Sequence, residues 1–116
     1  MSLLNIQSLI SVIPVKDFAA AMAFYQKWLG QPDEVPMEGM AEWQIAPQAW
    51  LQLDSSIPET AGSSAIILGV ADIHQSREAL LEAGIEAGPV QDYDFILVSD
   101  FHDPDGNRIS LVQTTA

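Results

Sequence analysis

The chain contains no cysteine and only four basic residues, Lys16, Lys27, Arg77 and Arg108. Without cysteine it forms no disulfide, offers no thiolate nucleophile and builds neither an iron–sulfur cluster nor a thiolate zinc site. The bases are outnumbered by 16 acids, which gives a net charge of −12 and a pI near 4.1. Because such a surface repels phosphate groups, the composition argues against nucleic-acid binding and against anionic membrane surfaces. The same charge attracts cationic ligands. The alternative is that the acids only keep the protein soluble.

Long apolar runs are also missing. No stretch approaches the roughly 18 residues that span a bilayer. The N-terminal segment MSLLNIQSLISVIPVKD has no early Lys or Arg and no small-residue cleavage site of a signal peptide. We therefore expect a cytoplasmic chain. Its 116 residues, 48% of them hydrophobic, suffice for one domain with a packed core.

What the sequence does contain is an internal repeat. An apolar segment ends at Asp17, a helical pattern follows, and Gly30 closes it; the same order recurs with Asp72 and Gly84. An Asp before a helix accepts hydrogen bonds from the free N–H groups of the first turn. A Gly after a helix adopts the left-handed conformation that ends it. The pattern therefore predicts one capped helix in each copy.

Each predicted helix is followed by a predicted hairpin. Residues 40–53 and 95–114 each form two apolar strands, joined in the second case by the DPDGN turn at residues 103–107. Pro fixes φ at one position of such a turn and Gly permits a positive φ at another. Residues 33–38 and 85–90 each supply one more short strand.

These elements predict an α+β fold of two βαβββ modules that form a cupped mixed sheet. The chain, residues 1–116, is then a single domain built of two repeats. The repeats cover about 5–54 and 63–116 and are joined by the linker 55–62.

Side-chain alternation along the strands predicts which face can meet a ligand. Leu51 and Leu53 share one face and pack under the helix, so Trp50 and Gln52 lie on the other face. The same alternation in the last strand places Ser110 on the face away from its helix. We expect these mixed faces to line a concave, ligand-binding surface.

These features resemble the vicinal oxygen chelate superfamily, also called the glyoxalase/bleomycin resistance protein/dioxygenase superfamily. The resemblance rests on IPVKDFAAAMAFYQKWLG, AEWQIAPQAWLQL, GVADIHQSREALLEAGI and the closing DFHDPDGNRISLVQ. It implies paired βαβββ modules, a cupped sheet with a pocket, and a homodimer.

The resemblance also implies where a metal would be held. Metal enzymes of this superfamily take His, Glu or Gln ligands from four strand positions, which correspond here to Ile10, Gln52, Ala65 and Ser110. Ile and Ala cannot coordinate a metal, and Ser is a poor neutral ligand. We therefore expect no metal and no cofactor. Glyoxalase-type isomerisation and extradiol dioxygenation both need that metal.

The expected ligand contacts are aromatic and polar residues of the hairpins. They are Trp43, Trp50, Gln52, His102, Arg108 and Ser110. Indole rings suit planar or cationic ligands through stacking and cation–π contacts, and His102 beside Asp103 suits a general acid. The structural alternatives are core packing for the tryptophans, a surface ion pair for Arg108 and a solvated turn residue for His102.

No motif specifies a catalytic mechanism, since the sequence has neither a nucleophile elbow nor a Gly-rich phosphate loop. The predicted function is that of a metal-free homodimer that binds or sequesters an aromatic or cationic small molecule. One alternative is a metal-dependent lyase or dioxygenase with non-standard ligands such as Glu38, Glu42 or Asp100. The other is a structural or regulatory dimer without a ligand.

Overall fold

The computed structural model describes residues 2–115, so the predicted outer bounds at residues 1 and 116 lie outside the described residues. The chain is divided into two compact units, one ending at Thr60 and the other beginning at Ala61. Each unit contains one α-helix and one mixed β-sheet.

The first unit has a three-stranded sheet. Its elements are β1 (Leu9–Pro14), α1 (Phe18–Leu29), β2 (Met40–Ala46) and β3 (Ala49–Asp54), followed by a 3₁₀ turn at Pro58–Thr60. The strand order is β1-β3-β2. Strand β1 runs parallel to β3 and β2 runs antiparallel to it, which confirms the predicted hairpin.

The second unit repeats this topology with one more strand. Its elements are β4 (Ala65–Gly69), α2 (Ile73–Glu82), β5 (Gln91–Asp92), β6 (Ile96–His102) and β7 (Arg108–Thr114). The order is β4-β7-β6-β5, with β4 parallel to β7 and β6 antiparallel to both neighbours. In both units the first strand therefore pairs in parallel with the last strand, and the predicted α+β fold of two related modules is confirmed.

The predicted helix ends are confirmed. The carboxylates of Asp17 and Asp72 each accept a hydrogen bond of 3.1 Å from the N–H three residues further on. Gly30 and Gly84 follow the two helices with φ angles of 77° and 83°, which a side chain would make unfavourable. Within residues 2–115, neither helix combines the length and apolar character needed to cross a membrane.

The core of the first unit lies between α1 and one face of the sheet. Leu51 and Leu53 are fully buried there, together with Ile13 of β1. The ring of Tyr25, also fully buried, lies 6.1 Å from that of Trp43. Burial of these aliphatic and aromatic groups is the main contribution to stability in a unit of this size.

In the second unit, the DPDGN turn is tied to the chain that precedes β4. Asn107 is buried, and its Oδ1 accepts hydrogen bonds of 3.0 Å from the N–H groups of Gly62 and Ser64. Its Nδ2 donates at 2.9 Å to Oδ2 of Asp103. These side-chain bonds satisfy backbone groups that no strand pairing reaches.

The predicted short strands differ from those observed. Residues 33–38 form a single bridge, Glu34 with Glu42, so the first unit lacks its fourth strand. Pro32 and Pro36 have no N–H to donate to a ladder, which limits pairing on both sides. In the second unit the short strand is Gln91–Asp92 rather than residues 85–90, and it begins only after Pro89.

Candidate functional site

Each sheet has one face against its helix, and we call the opposite face the open face. In the first unit the open face carries Trp50 and Gln52, both half-buried. They are paired with Ile10 and Val12 of β1, which are 48% and 46% exposed. The predicted orientation of Trp50 and Gln52 is therefore confirmed, because Leu51 and Leu53 have the opposite orientation and are fully buried.

Gln52 is held by an acid on the neighbouring strand. Its Nε2 donates a hydrogen bond to Oε2 of Glu42, the residue opposite it in β2. The pair places one amide and one carboxylate beside the Trp50 ring and the aliphatic side chains of β1. A surface of this composition suits a ligand that is mostly apolar and has a few polar groups.

The expectation that Trp43 contacts a ligand is wrong. Trp43 lies opposite Leu51 on the helix-facing side, is 2% exposed, and donates from Nε1 to the carbonyl of Gly30 at 2.9 Å. A β-bulge between Gln44 and Ala46 explains the difference. Since a shift of one residue turns a side chain to the other face, the bulge moves Trp43 away from the open face.

The open face of the second unit brings together three of the predicted residues. Ser110 lies opposite Asp100 across β6 and β7, and the exposed Arg108 lies opposite the exposed His102. Ser110 is buried, and its hydroxyl donates to Oδ1 of Asp100 at 2.6 Å. This distance is typical of a hydroxyl that donates to a carboxylate.

The two units carry the same three-residue arrangement on their open faces. In each, a polar residue of the last strand lies between an aliphatic residue of the parallel neighbour and an acid of the antiparallel neighbour. The triplets are Val12–Gln52–Glu42 and Ile67–Ser110–Asp100. In both triplets the central side chain donates to the acid. The repeat therefore extends from the backbone topology to the polar chemistry of the open face.

A cleft of about 440 Å³ opens in the second unit, between strand β6 and the segment that leads into β5. Residues 86–89 and Gln91 line it from one side, and Val98, Asp100 and His102 of β6 line it from the other. This volume lies within the range of small-molecule sites, about 300–1,000 Å³. Of the predicted residues, His102 lines the cleft, and Ser110 reaches it through its bond to Asp100.

The wall of the cleft is fixed at Gly88. Its N–H donates to the Asp100 carbonyl at 2.8 Å, and its own carbonyl accepts from Nε of Arg77 at 2.7 Å and from Oγ of Ser99 at 2.8 Å. A Cβ at position 88 would lie 3.2 Å from the Asp100 carbonyl oxygen, so glycine permits this close approach. The cleft thus has a wall whose position does not depend on a ligand.

The residues at the four superfamily ligand positions do not fit a metal. Ile10 and Ala65 have no donor atom, and the side chains of Gln52 and Ser110 donate to Glu42 and Asp100. Among residues 2–115, no three His, Cys, Asp or Glu side chains are grouped so that they can hold a metal ion.

Sequence reasoning missed part of this site. The five-residue turn at 103–107 fixes the register of β6 and β7, so counting outward from it pairs Asp100 with Ser110. No turn of this kind predicts the positions of Glu86 and Gln91. Their place beside β6 depends on hydrogen bonds that Gly88 makes to residues distant in sequence.

Known structures with this fold include a glyoxalase/bleomycin resistance protein from Catenulispora acidiphila, 31% identical to this chain. The match covers 92% of this chain and 97% of that protein, with a TM-score of 0.85. TnmS3, an antibiotic binding protein from Streptomyces, is 24% identical over 99% of both chains, with a TM-score of 0.80. A glyoxalase/bleomycin resistance protein/dioxygenase from Nocardioides is 23% identical over 98% of this chain and 85% of its own, with a TM-score of 0.75.

The sequence matches no protein-family model, and no curated protein sequence matches it significantly. The structural match at 31% identity nevertheless extends over nearly the whole of both chains. This chain belongs to the glyoxalase/bleomycin resistance protein family, within the vicinal oxygen chelate superfamily.

Proposed function

We propose that this protein binds a small molecule, aromatic or cationic in character, without a resident metal ion. The observation that carries the proposal is the cleft of about 440 Å³ in the second unit, with polar groups at its edge and Val98 in its lining. A concave site with a few placed polar groups is the usual form of a small-molecule site.

The proposal includes no metal because of the side chains at the four positions where metal enzymes of the superfamily place their ligands. Aliphatic side chains occupy two of the four positions where metal enzymes of the superfamily place ligands, Ile10 and Ala65. At the other two, an amide and a hydroxyl donate to a neighbouring acid, so the four positions offer at most two neutral oxygen ligands. Binding is then expected to depend on shape, stacking and hydrogen bonds.

An aromatic or cationic ligand is favoured by charge and by Trp50. The net charge of −12 raises the local concentration of cations near clefts, and the half-buried Trp50 ring offers an apolar surface on the open face of the first unit. TnmS3, which shares this fold, is an antibiotic binding protein, so the fold is compatible with drug-sized ligands.

We also propose that the protein acts as a homodimer. Strand β1 lies at the edge of its sheet and exposes Leu9 by 69%, Ile10 by 48% and Val12 by 46%. Exposed apolar edge strands favour pairing or packing with another chain.

A thermal-shift screen tests the proposed function directly. Purified protein is heated with a panel of cationic, neutral and anionic aromatic compounds, since a compound that binds the native state raises the Tm. We expect hits among the cationic and neutral aromatics and none among the anions. A panel without any hit would contradict the proposal, and stoichiometric bound nickel, zinc, iron or manganese in the purified protein would favour the metal-dependent alternative.

A further inference from the structure

The charged groups that line the cleft define what it can bind. Asp100 and Glu86 contribute carboxylates, and Gln91 contributes an amide that can accept or donate. Asp100 is half-buried, whereas Glu86 and Gln91 are exposed. The least exposed acid of the lining is therefore Asp100, and its carboxylate would repel an anionic ligand.

Ser110 determines how the Asp100 carboxylate is presented. Its hydroxyl donates to Oδ1 at 2.6 Å from a position that is 5% exposed, so the carboxylate is held in one orientation. A guanidinium is best bound through both oxygens of a carboxylate at once, whereas an ammonium needs only one. With Oδ1 engaged by Ser110, the arrangement favours an ammonium that approaches Oδ2.

Apart from Gly88 and the exposed imidazole of His102, the remaining lining is aliphatic and suits a short apolar body next to that ammonium. Val98, Ala87 and Pro89 present aliphatic groups on the two sides of the cleft. The Gly88 bonds to Arg77, Ser99 and Asp100 hold these sides in place before a ligand arrives. A preorganised site binds more tightly because less ordering is needed on binding.

We propose that the cleft binds a primary organic ammonium, with Asp100 as its counterion and Ser110 as the residue that orients Asp100. This inference rests on the proposed function and specifies its ligand class and site. It also assigns the acid of the second triplet a different role from Glu42, which lies outside the cleft lining.

The test is a titration of the full chain, labelled with ¹⁵N, with benzylamine and separately with benzyl alcohol. The two probes have nearly the same shape, but only benzylamine is cationic at neutral pH. Benzylamine is expected to shift the amide signals of residues 86–91 and 98–102, and to bind at least about tenfold more tightly than the alcohol, because a hydrogen bond to a charged group is strong.

Two variants identify the carboxylate responsible. Asp100→Asn is expected to weaken benzylamine binding by about tenfold or more. Glu82→Gln removes the same charge from an exposed position on α2 and serves as the control, with an expected change of less than about twofold. Equal losses in the two variants, or equal binding of the alcohol, would overturn the inference.

Ser110→Ala tests the orienting role separately. By releasing Oδ1, it is expected to shift the preference of the cleft from benzylamine towards benzylguanidine, which a purely structural role of Ser110 would not do. An unchanged ratio of the two affinities would refute that role.

The outcomes separate this inference from the proposed function. If benzylamine leaves the cleft amides unshifted while a screened compound shifts those around Trp50, the cleft assignment fails and small-molecule binding stands. If no screened compound raises the Tm and benzylamine shifts no amide signal, both the proposed function and the inference fail.

Discussion

The hydroxyl of Ser110 donates a 2.6 Å hydrogen bond to Oδ1 of Asp100 across the last two strands of the second unit. Gln52 and Glu42 make the corresponding contact in the first unit. The polar side chains at the superfamily's ligand positions are thus bonded to acids of the same sheet. Under the proposed function, this pairing orients a carboxylate towards a ligand.

The turn that closes the second hairpin should be sensitive to the loss of one side chain. Replacing Asn107 by Ala removes the acceptor for the N–H groups of Gly62 and Ser64 and the donor to Asp103. Leaving buried partners unsatisfied should lower the free energy of unfolding by about 2–4 kcal/mol, measured by urea titration. Asn5→Ala, at an exposed position, is the control. Equal effects of the two changes would contradict the assigned role of Asn107.

Trp43 and Trp50 should respond in opposite ways to the same substitution. Trp43→Phe removes a buried indole and its bond to the Gly30 carbonyl, so it should cost about 1–3 kcal/mol of stability. Trp50→Phe should lower the free energy of unfolding by less than about 1 kcal/mol. It should, however, weaken the binding of an aromatic compound found in the thermal-shift screen. Urea unfolding and calorimetric titration of both variants measure this, and a larger stability loss for Trp50 would contradict the strand faces described above.

Arg77 should hold in place the segment around Gly88 that forms one wall of the cleft. Arg77→Met keeps an unbranched apolar stem but removes the donors to the carbonyls of Gly88 and Ala87. The Gly88 amide should then exchange its hydrogen faster, because the segment opens locally more often. Lys27→Met removes the same charge from an exposed position on α1 and should leave that exchange rate unchanged. A similar acceleration in both variants would argue for a general charge effect.

The association state can be measured directly. Light scattering at micromolar concentration should give twice the chain mass of 12.6 kDa, because β1 exposes apolar side chains at a sheet edge. A mass equal to that of one chain would reject the dimer.

The repeat, the capped helices and the hairpins could be predicted because each depends on residues close together in sequence. Asp17 and Asp72 cap helices through N–H groups three residues away. The DPDGN turn sets the register of the two strands that it joins, β6 and β7. The orientation of Trp50 followed from strand alternation alone, since β3 is regular from Ala49 to Asp54.

For Trp43, side-chain alternation and the register counted from the turn give opposite faces. If the pairing that begins with Ala46 opposite Ala49 continued along β2 without a bulge, Trp43 would lie opposite Gln52 on the open face. The bulge between Gln44 and Ala46 shifts it opposite Leu51. The alternation of Ala41 and Trp43 with the polar Glu42 and Gln44 favours the core face instead, and the burial of the large indole against Tyr25 agrees with the bulged form.

The cleft was harder to predict for a different reason. Its two sides come from residues 86–91 and from β6, and they are brought together by Gly88, whose partners are Arg77, Ser99 and Asp100. These bonds join separate elements, so periodicity and turn chemistry do not reveal them. The missing fourth strand of the first unit likewise depends on how two prolines interrupt one pairing.

The central claim is that this protein binds a small molecule without a metal. The most direct test is calorimetric titration of one compound from the thermal-shift screen, before and after exhaustive dialysis against EDTA, with the metal content of each sample measured. The account predicts the same Kd in both samples and a metal content well below one ion per chain. Binding that disappears after dialysis and returns when a divalent metal ion is added would contradict it.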